Sequence, residues 1–218
     1  MTRDRLVAAG AGLAVLVGAL IMLTALVAQP GSWLAGYVSE AGTAGQPFAL
    51  AYRCGLLLLA VGVGLLALVF RRLAPVAVLL GLAAGLCATS GAVACTRGCP
   101  LPPFEPTTVA DVVHTSASIL GLFTVAAAMV AVALAKALRP AIRRLAVCST
   151  ALVVPVGGAL GLTMLLVGRS ALGASLERIL LVVAVSWLIG TCLLTILRNS
   201  VKVEPWQMTP PSASASRR

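Results

Sequence analysis

The chain has 218 residues, 60% of them hydrophobic and 10% charged, with a formal net charge of +10 and a mean hydropathy of +1.07. An ordinary soluble domain carries about 25% charged residues, and no water-soluble fold hides this much apolar surface, so the chain belongs in lipid. No stretch alternates apolar and polar with period two, which excludes a β-barrel, and the basic residues sit in short runs between apolar segments, which excludes a nucleic-acid-binding face.

Taken in order, residues 1–5 are a short basic start and residues 6–28 a continuous apolar run. About 20 such residues cross a bilayer. The run is too long for a signal peptide and lacks a small-x-small cleavage site, so it reads as a retained first helix. A connection rich in Gly, Pro and Ser follows and contains Trp33, Tyr37, Ser39 and Glu40. Aromatic residues there suit the membrane interface.

Further helices are predicted over 49–70, 75–94, 109–138, 145–167 and 179–197, and the segment 168–178 reads as a polar loop. Helix three carries Gly81-x-x-x-Gly85, a small-residue spacing that permits close helix approach. Pro155 with Gly157 and Gly158 predicts a kink in helix five. Residues 1–200 form one six-helix transmembrane domain, and 201–218, rich in Ser, Pro and Ala, reads as a disordered cytoplasmic tail. The fold class is all-α, a polytopic six-helix bundle.

Charge sets the expected orientation. With the N-terminus inside, twelve basic residues fall in inner segments: Arg3, Arg5, Arg71, Arg72, Lys136, Arg139, Arg143, Arg144, Arg198, Lys202, Arg217 and Arg218. Outer loops hold Arg97, Arg169 and Arg178, and Arg53 lies within helix two. This bias predicts both termini in the cytoplasm. Fourteen Arg against two Lys suggest a GC-rich bacterial genome, hence a bacterial plasma membrane.

The stretch from Cys95 to Ser118 concentrates the rare chemistry, including the single histidine. Cys95 and Cys99 are four residues apart in a predicted outer loop, where an oxidising compartment favours a disulfide; free thiols, or redox or metal work, are the alternatives. Cys54, Cys87, Cys148 and Cys192 stand singly in apolar helices and read as small buried hydrophobes. Thr108 with Asp111 reads as a capping box opening helix four. Asp111, His114 and Ser118 then fall along one face of that helix.

A carboxylate there would orient the imidazole and the imidazole would act as a base, making His114, Asp111 and Glu40 the candidate catalytic residues. The plain readings stand beside this: Asp111 suits a helix N-terminus, Ser118 suits helix packing, and His114 bonds a neighbouring helix or a headgroup. Arg53, Ser39, Tyr37 and Ser118 are candidates for an ion pair or an outer cavity. Glu40 either pairs with Arg53 or faces His114. No motif calls for a cofactor, and one histidine supports neither bis-histidine haem nor a multi-histidine zinc site; no metal is expected.

Tyr37-Val-Ser-Glu40 after helix one, Cys95-Thr-Arg-Gly-Cys-Pro100 after helix three and His114 opening helix four, in that order and with six helices, resemble the bacterial DUF998 membrane proteins over about residues 6–200. The resemblance implies the six-helix fold and no particular activity. Where family members often carry an Asp in the loop after helix three, this chain has Thr96-Arg97.

The favoured function is a non-enzymatic membrane scaffold, sensor or partner subunit with a polar extracytoplasmic site. The alternative is an enzyme acting on a lipid or isoprenoid-like substrate at the outer leaflet. A transporter is disfavoured because no helix centre carries a charge. The expected partners are the lipid bilayer, another membrane protein and a second copy in a homo-oligomer, with no nucleic acid.

Overall fold

The computed structural model describes residues 3–29, 33–34 and 36–197. The tail read at 201–218 lies outside the described residues. Six α-helices make up the fold: α1 (Arg3–Val27), α2 (Ala49–Val69), α3 (Ala74–Ala92), α4 (Val109–Leu134), α5 (Pro140–Leu166) and α6 (Ala171–Ile196). A short 3-10 helix, Val38–Gly42, lies between α1 and α2. There is no strand among the described residues, and all six α-helices are long and apolar enough to span a membrane.

Each helix packs on the next in sequence, and α6 closes back on α1, so the six form a ring. The short α2–α3, α4–α5 and α5–α6 connections make those neighbours antiparallel. Trp187, Leu66, Leu80, Met129 and Leu188 fill the interior, while Phe123, Leu134, Leu165 and Leu166 point outward. An outward Leu in water would be a liability; against acyl chains it is the expected surface.

Lipid also removes most of the hydrophobic drive between helices, so close van der Waals packing has to hold them. The tightest approach is between α1 and α2. A Cβ added at Gly18 would lie 2.6 Å from the Gly55 carbonyl oxygen, and one at Gly62 would lie 2.6 Å from Val15 Cγ2 and 2.9 Å from the Ala11 oxygen. Gly81 and Gly85 mediate no such approach, because a Cβ at either meets nothing within 4 Å. The spacing places both on one face, but no neighbouring helix presses on it.

Two helices start earlier than their composition suggests. α5 begins at Pro140 rather than 145, with proline near the N-terminal position where its missing N–H is harmless. Arg143 and Arg144 therefore ride on its first turns. α4 stops at Leu134 instead of 138, with Ala135 leaving the helical conformation at ψ 91°. α6 begins at Ala171 rather than 179, because the Ser170 side chain accepts a hydrogen bond from Gly173 N–H at 3.1 Å. The segment read as a loop is thus mostly helix, and it carries Glu177 and Arg178 into the bundle. α5 runs without interruption through Pro155.

The bundle has two distinct ends. At the end bearing the chain start, Asp4 and Arg71 form an ion pair at 2.7 Å, and Arg143 Nε donates to the Ala133 carbonyl. The 3-10 helix, the cysteine loop and the α5–α6 turn share the other end, called the loop end below. The glycine contacts predict that Gly18→Ala and Gly62→Ala each destabilise the bundle by about 1–3 kcal/mol through overpacking. Gly81→Ala should stay within about 0.5 kcal/mol of the parent protein. Unfolding titrations in mixed micelles measure both.

Candidate functional site

The loop end is held by carboxylates that bind backbone. Thr108 caps α4: its hydroxyl accepts from Asp111 N–H, and Asp111 Oδ2 accepts from Thr108 N–H at 2.8 Å. Asp111 Oδ1 reaches further and accepts from Thr96 N–H at 2.6 Å, with the Thr96 hydroxyl 3.0 Å from both oxygens. One carboxylate, 1% exposed, therefore fastens the cysteine loop to the start of α4. Within that loop Cys95 and Cys99 lie at disulfide distance. Gly98, at φ +88°, makes the turn between them.

Glu40 does similar work. Its Oε1 accepts from Tyr37 N–H at 2.9 Å and from Arg169 Nη2 at 2.5 Å. Arg169 also lies 3.9 Å from Glu105, so one guanidinium bridges the first loop, the cysteine loop and the α5–α6 turn. Glu40 is thus partnered by Arg169, and Arg53 is engaged elsewhere. Arg178 donates to the carbonyls of Ala174, Gly36 and Trp33, tying the α1–α2 connection to α6. Burial pushes the Tyr37 phenol above its usual range, and its hydroxyl packs against Gly173.

The end of α3 explains both Arg53 and His114. The last carbonyls of a helix have no donor of their own, and in lipid water cannot serve them. Arg53 Nε donates to the Gly91 oxygen at 2.9 Å and its Nη2 to the Ala92 oxygen at 2.5 Å. His114 Nδ1 lies 2.8 Å from the Ser90 oxygen and 2.9 Å from the Val93 oxygen. Carbonyl oxygens only accept, so Nδ1 carries the proton. Four consecutive carbonyls are then satisfied by two side chains.

That assignment fixes the other ring nitrogen. In a neutral imidazole with Nδ1 protonated, Nε2 is an acceptor. His114 is 5% exposed, and its Nε2 is buried with no hydrogen-bond partner among the described residues. The ring lines two neighbouring cavities, of about 120 Å3 and about 70 Å3. Ser39, Ser118 and Glu177 line both with it, Tyr37 lines the smaller, and the Ser118 hydroxyl lies 2.8 Å from that of Ser90.

Of the residues singled out from sequence, the structure therefore gathers His114, Ser39, Ser118 and Tyr37. It does not gather Asp111, Glu40 and Arg53 with them: none of the three bonds His114 among the described residues, and each is engaged with a loop or a helix end. The residue that sequence reading passed over is Glu177. Its Oε2 accepts from Val38 N–H at 2.6 Å, across 139 residues of chain, and so caps the 3-10 helix. Ser170, as an N-cap before an apolar run, was the signal that places Glu177 inside α6.

Cys95 Sγ, Cys99 Sγ and a ring nitrogen of His114 all fall within 4.8 Å of one another. Metals bind thiolates, so these three are a ligand set only with the cysteines reduced.

The two ring nitrogens predict a separation by substitution. Asn at position 114 keeps an amide N–H near the place of Nδ1, whereas Gln does not. His114→Asn should lose less stability than His114→Gln, because it keeps a donor for the α3 carbonyls. His114→Gln, leaving buried carbonyls without donors, should lose about 1–3 kcal/mol. Equal losses in denaturant titrations would contradict the helix-end role.

No curated protein and no solved structure matches the chain. The family model described as "Protein of unknown function (DUF998)" matches residues 8–194, which takes in all of α2 to α5 and all but the ends of α1 and α6. A six-helix membrane bundle matched over nearly its whole length in this way belongs to the DUF998 family.

Proposed function

We propose that this protein is a non-enzymatic sensor or partner subunit of the membrane, in which the polar site at the loop end binds a ligand presented from the bilayer or from another membrane protein. The carrying observation is His114 Nε2, without a hydrogen-bond partner among the described residues, on a cavity wall that Glu177 shares. An enzyme using His114 as a base would gain from a carboxylate against Nδ1 to stabilise the imidazolium. Here the ring is oriented by backbone carbonyls of α3. Asp111 and Glu40 are spent on loop closure. Binding needs only the fixed acceptor.

The second reading is an enzyme acting on a lipid at the outer leaflet. It draws on one observation: Glu177 and His114 border the same cavity. In both readings the loop end faces outward, in a bacterial plasma membrane with both termini cytoplasmic. Arg71, Arg72, Lys136, Arg139, Arg143 and Arg144 gather at the opposite end, which supports that orientation.

Two measurements test the proposal. Alkaline phosphatase inserted after Gln46 or within 102–107 should be active, and fused after residue 197 inactive; the reverse pattern would overturn the orientation. Purified protein incubated in nanodiscs with a total bacterial lipid extract should retain a lipid of unchanged mass. New species accumulating in proportion to protein, and lost in His114→Asn, would establish turnover and sink the non-enzymatic reading.

A further inference from the structure

The larger cavity is elongated and chemically graded. Three helices start at the loop end and each contributes one lining stripe: Tyr52 to Val63 on α2, His114 to Val125 on α4 and Glu177 to Leu188 on α6. Each stripe spans twelve residues, or eleven helical steps, roughly 16 Å at the helical rise. That depth is about half of a ~30 Å hydrocarbon core, the depth of one leaflet. Polar lining groups cluster at the top: His114, Ser39, Ser90, Ser118, Glu177 and the phenol of Tyr52. Below Gly121 on α4 and Leu181 on α6 the walls are apolar apart from the Cys87 thiol on α3.

The volume limits the occupant. About 120 Å3 corresponds to roughly eight to twelve water-sized groups, enough for one chain and too little for two. An apolar shaft of this kind does not hold water stably. The head chemistry is limited as well. His114 Nε2 accepts, the Glu177 carboxylate accepts, and no Lys or Arg lines either cavity. A head that only accepts would leave both without a donor. A head that donates hydrogen bonds completes both acceptors.

We infer that the cavity between α2, α4 and α6 binds a single-chain amphiphile with an amine or hydroxyl head, its head donating to His114 Nε2 and Glu177 and its chain running toward Leu188. This inference rests on the ligand-binding reading above and names the ligand class. Glu177 then has two tasks, since one oxygen caps the 3-10 helix through Val38. Ser39, in the same short helix, also lines the cavity.

The test uses the full chain in nanodiscs with diazirine-bearing dodecylamine, dodecanol, dodecanoic acid and a two-chain phosphatidylcholine. Crosslinked peptides are mapped by mass spectrometry. The amine and the alcohol should label α4 between His114 and Val125 and α6 between Glu177 and Leu188. The acid and the two-chain lipid should label those segments about tenfold less. Glu177→Gln keeps an acceptor for Val38 N–H and should weaken the amine's labelling more than the alcohol's. Ala184→Phe, placed in the apolar shaft, should reduce both.

Circular dichroism and gel filtration of the variants separate loss of binding from loss of fold. Labelling indifferent to the head, equal with the two-chain lipid, or confined to outward residues such as Phe123 and Leu165 would overturn the ligand class while leaving a polar site for some other partner. Recovery of chemically altered dodecylamine would instead uphold the slot and overturn its non-enzymatic use.

Discussion

The last carbonyls of a helix have no donor of their own, and the end of α3 is where this chain supplies donors from side chains. Four carbonyls, from Ser90 to Val93, receive donors from Arg53 of α2 and His114 of α4. The two side chains come from the helices on either side of α3 in the ring. The same contacts that close the helix end therefore set the spacing of its neighbours. They also lock the imidazole so that one nitrogen is used by the fold and the other is left facing a cavity.

The remainder of the loop end follows the same logic with carboxylates in place of cations. Asp111 gathers Thr96 and Thr108, Glu40 gathers Tyr37 and Arg169, and Glu177 gathers Val38. Each acid accepts from backbone N–H groups that no helix pairs. Packing is uneven around the ring. Glycines let α1 and α2 touch backbone to backbone, whereas α2, α4 and α6 remain far enough apart to leave a leaflet-deep slot. A binding site arises where the ring is loose, beneath loops that are firmly tied.

How much of this was legible in the sequence depended on how local each interaction is. The six spans were readable because lipid requires about 20 apolar residues per crossing, and the Thr108–Asp111 cap because its partners are three residues apart. The pairing of Glu40 was not readable: Arg169 is 129 residues away, and Arg53 was the nearer cation in sequence. Gly81-x-x-x-Gly85 gave a face without saying what lies against it. The start of α6 was hidden because Ser, Gly, Glu and Arg between 168 and 178 resemble a loop in composition, while one serine cap makes them helical. Glu177 was lost with that boundary, and with it the acid that belongs to the cavity. The division of labour within His114 needed coordinates, since composition cannot say which nitrogen meets a carbonyl.

Because His114 is the single histidine of the chain, its ring can be observed alone. Nitrogen-15 spectra of histidine-labelled protein in nanodiscs, at a pH of about 8 where an imidazole is ordinarily neutral, report the proton position on each nitrogen. The expected result is a proton on Nδ1 and a bare Nε2, with only the Nε2 resonance moving when dodecylamine is added. A proton on Nε2, or an Nε2 signal unmoved by saturating dodecylamine and dodecanol, would contradict the account.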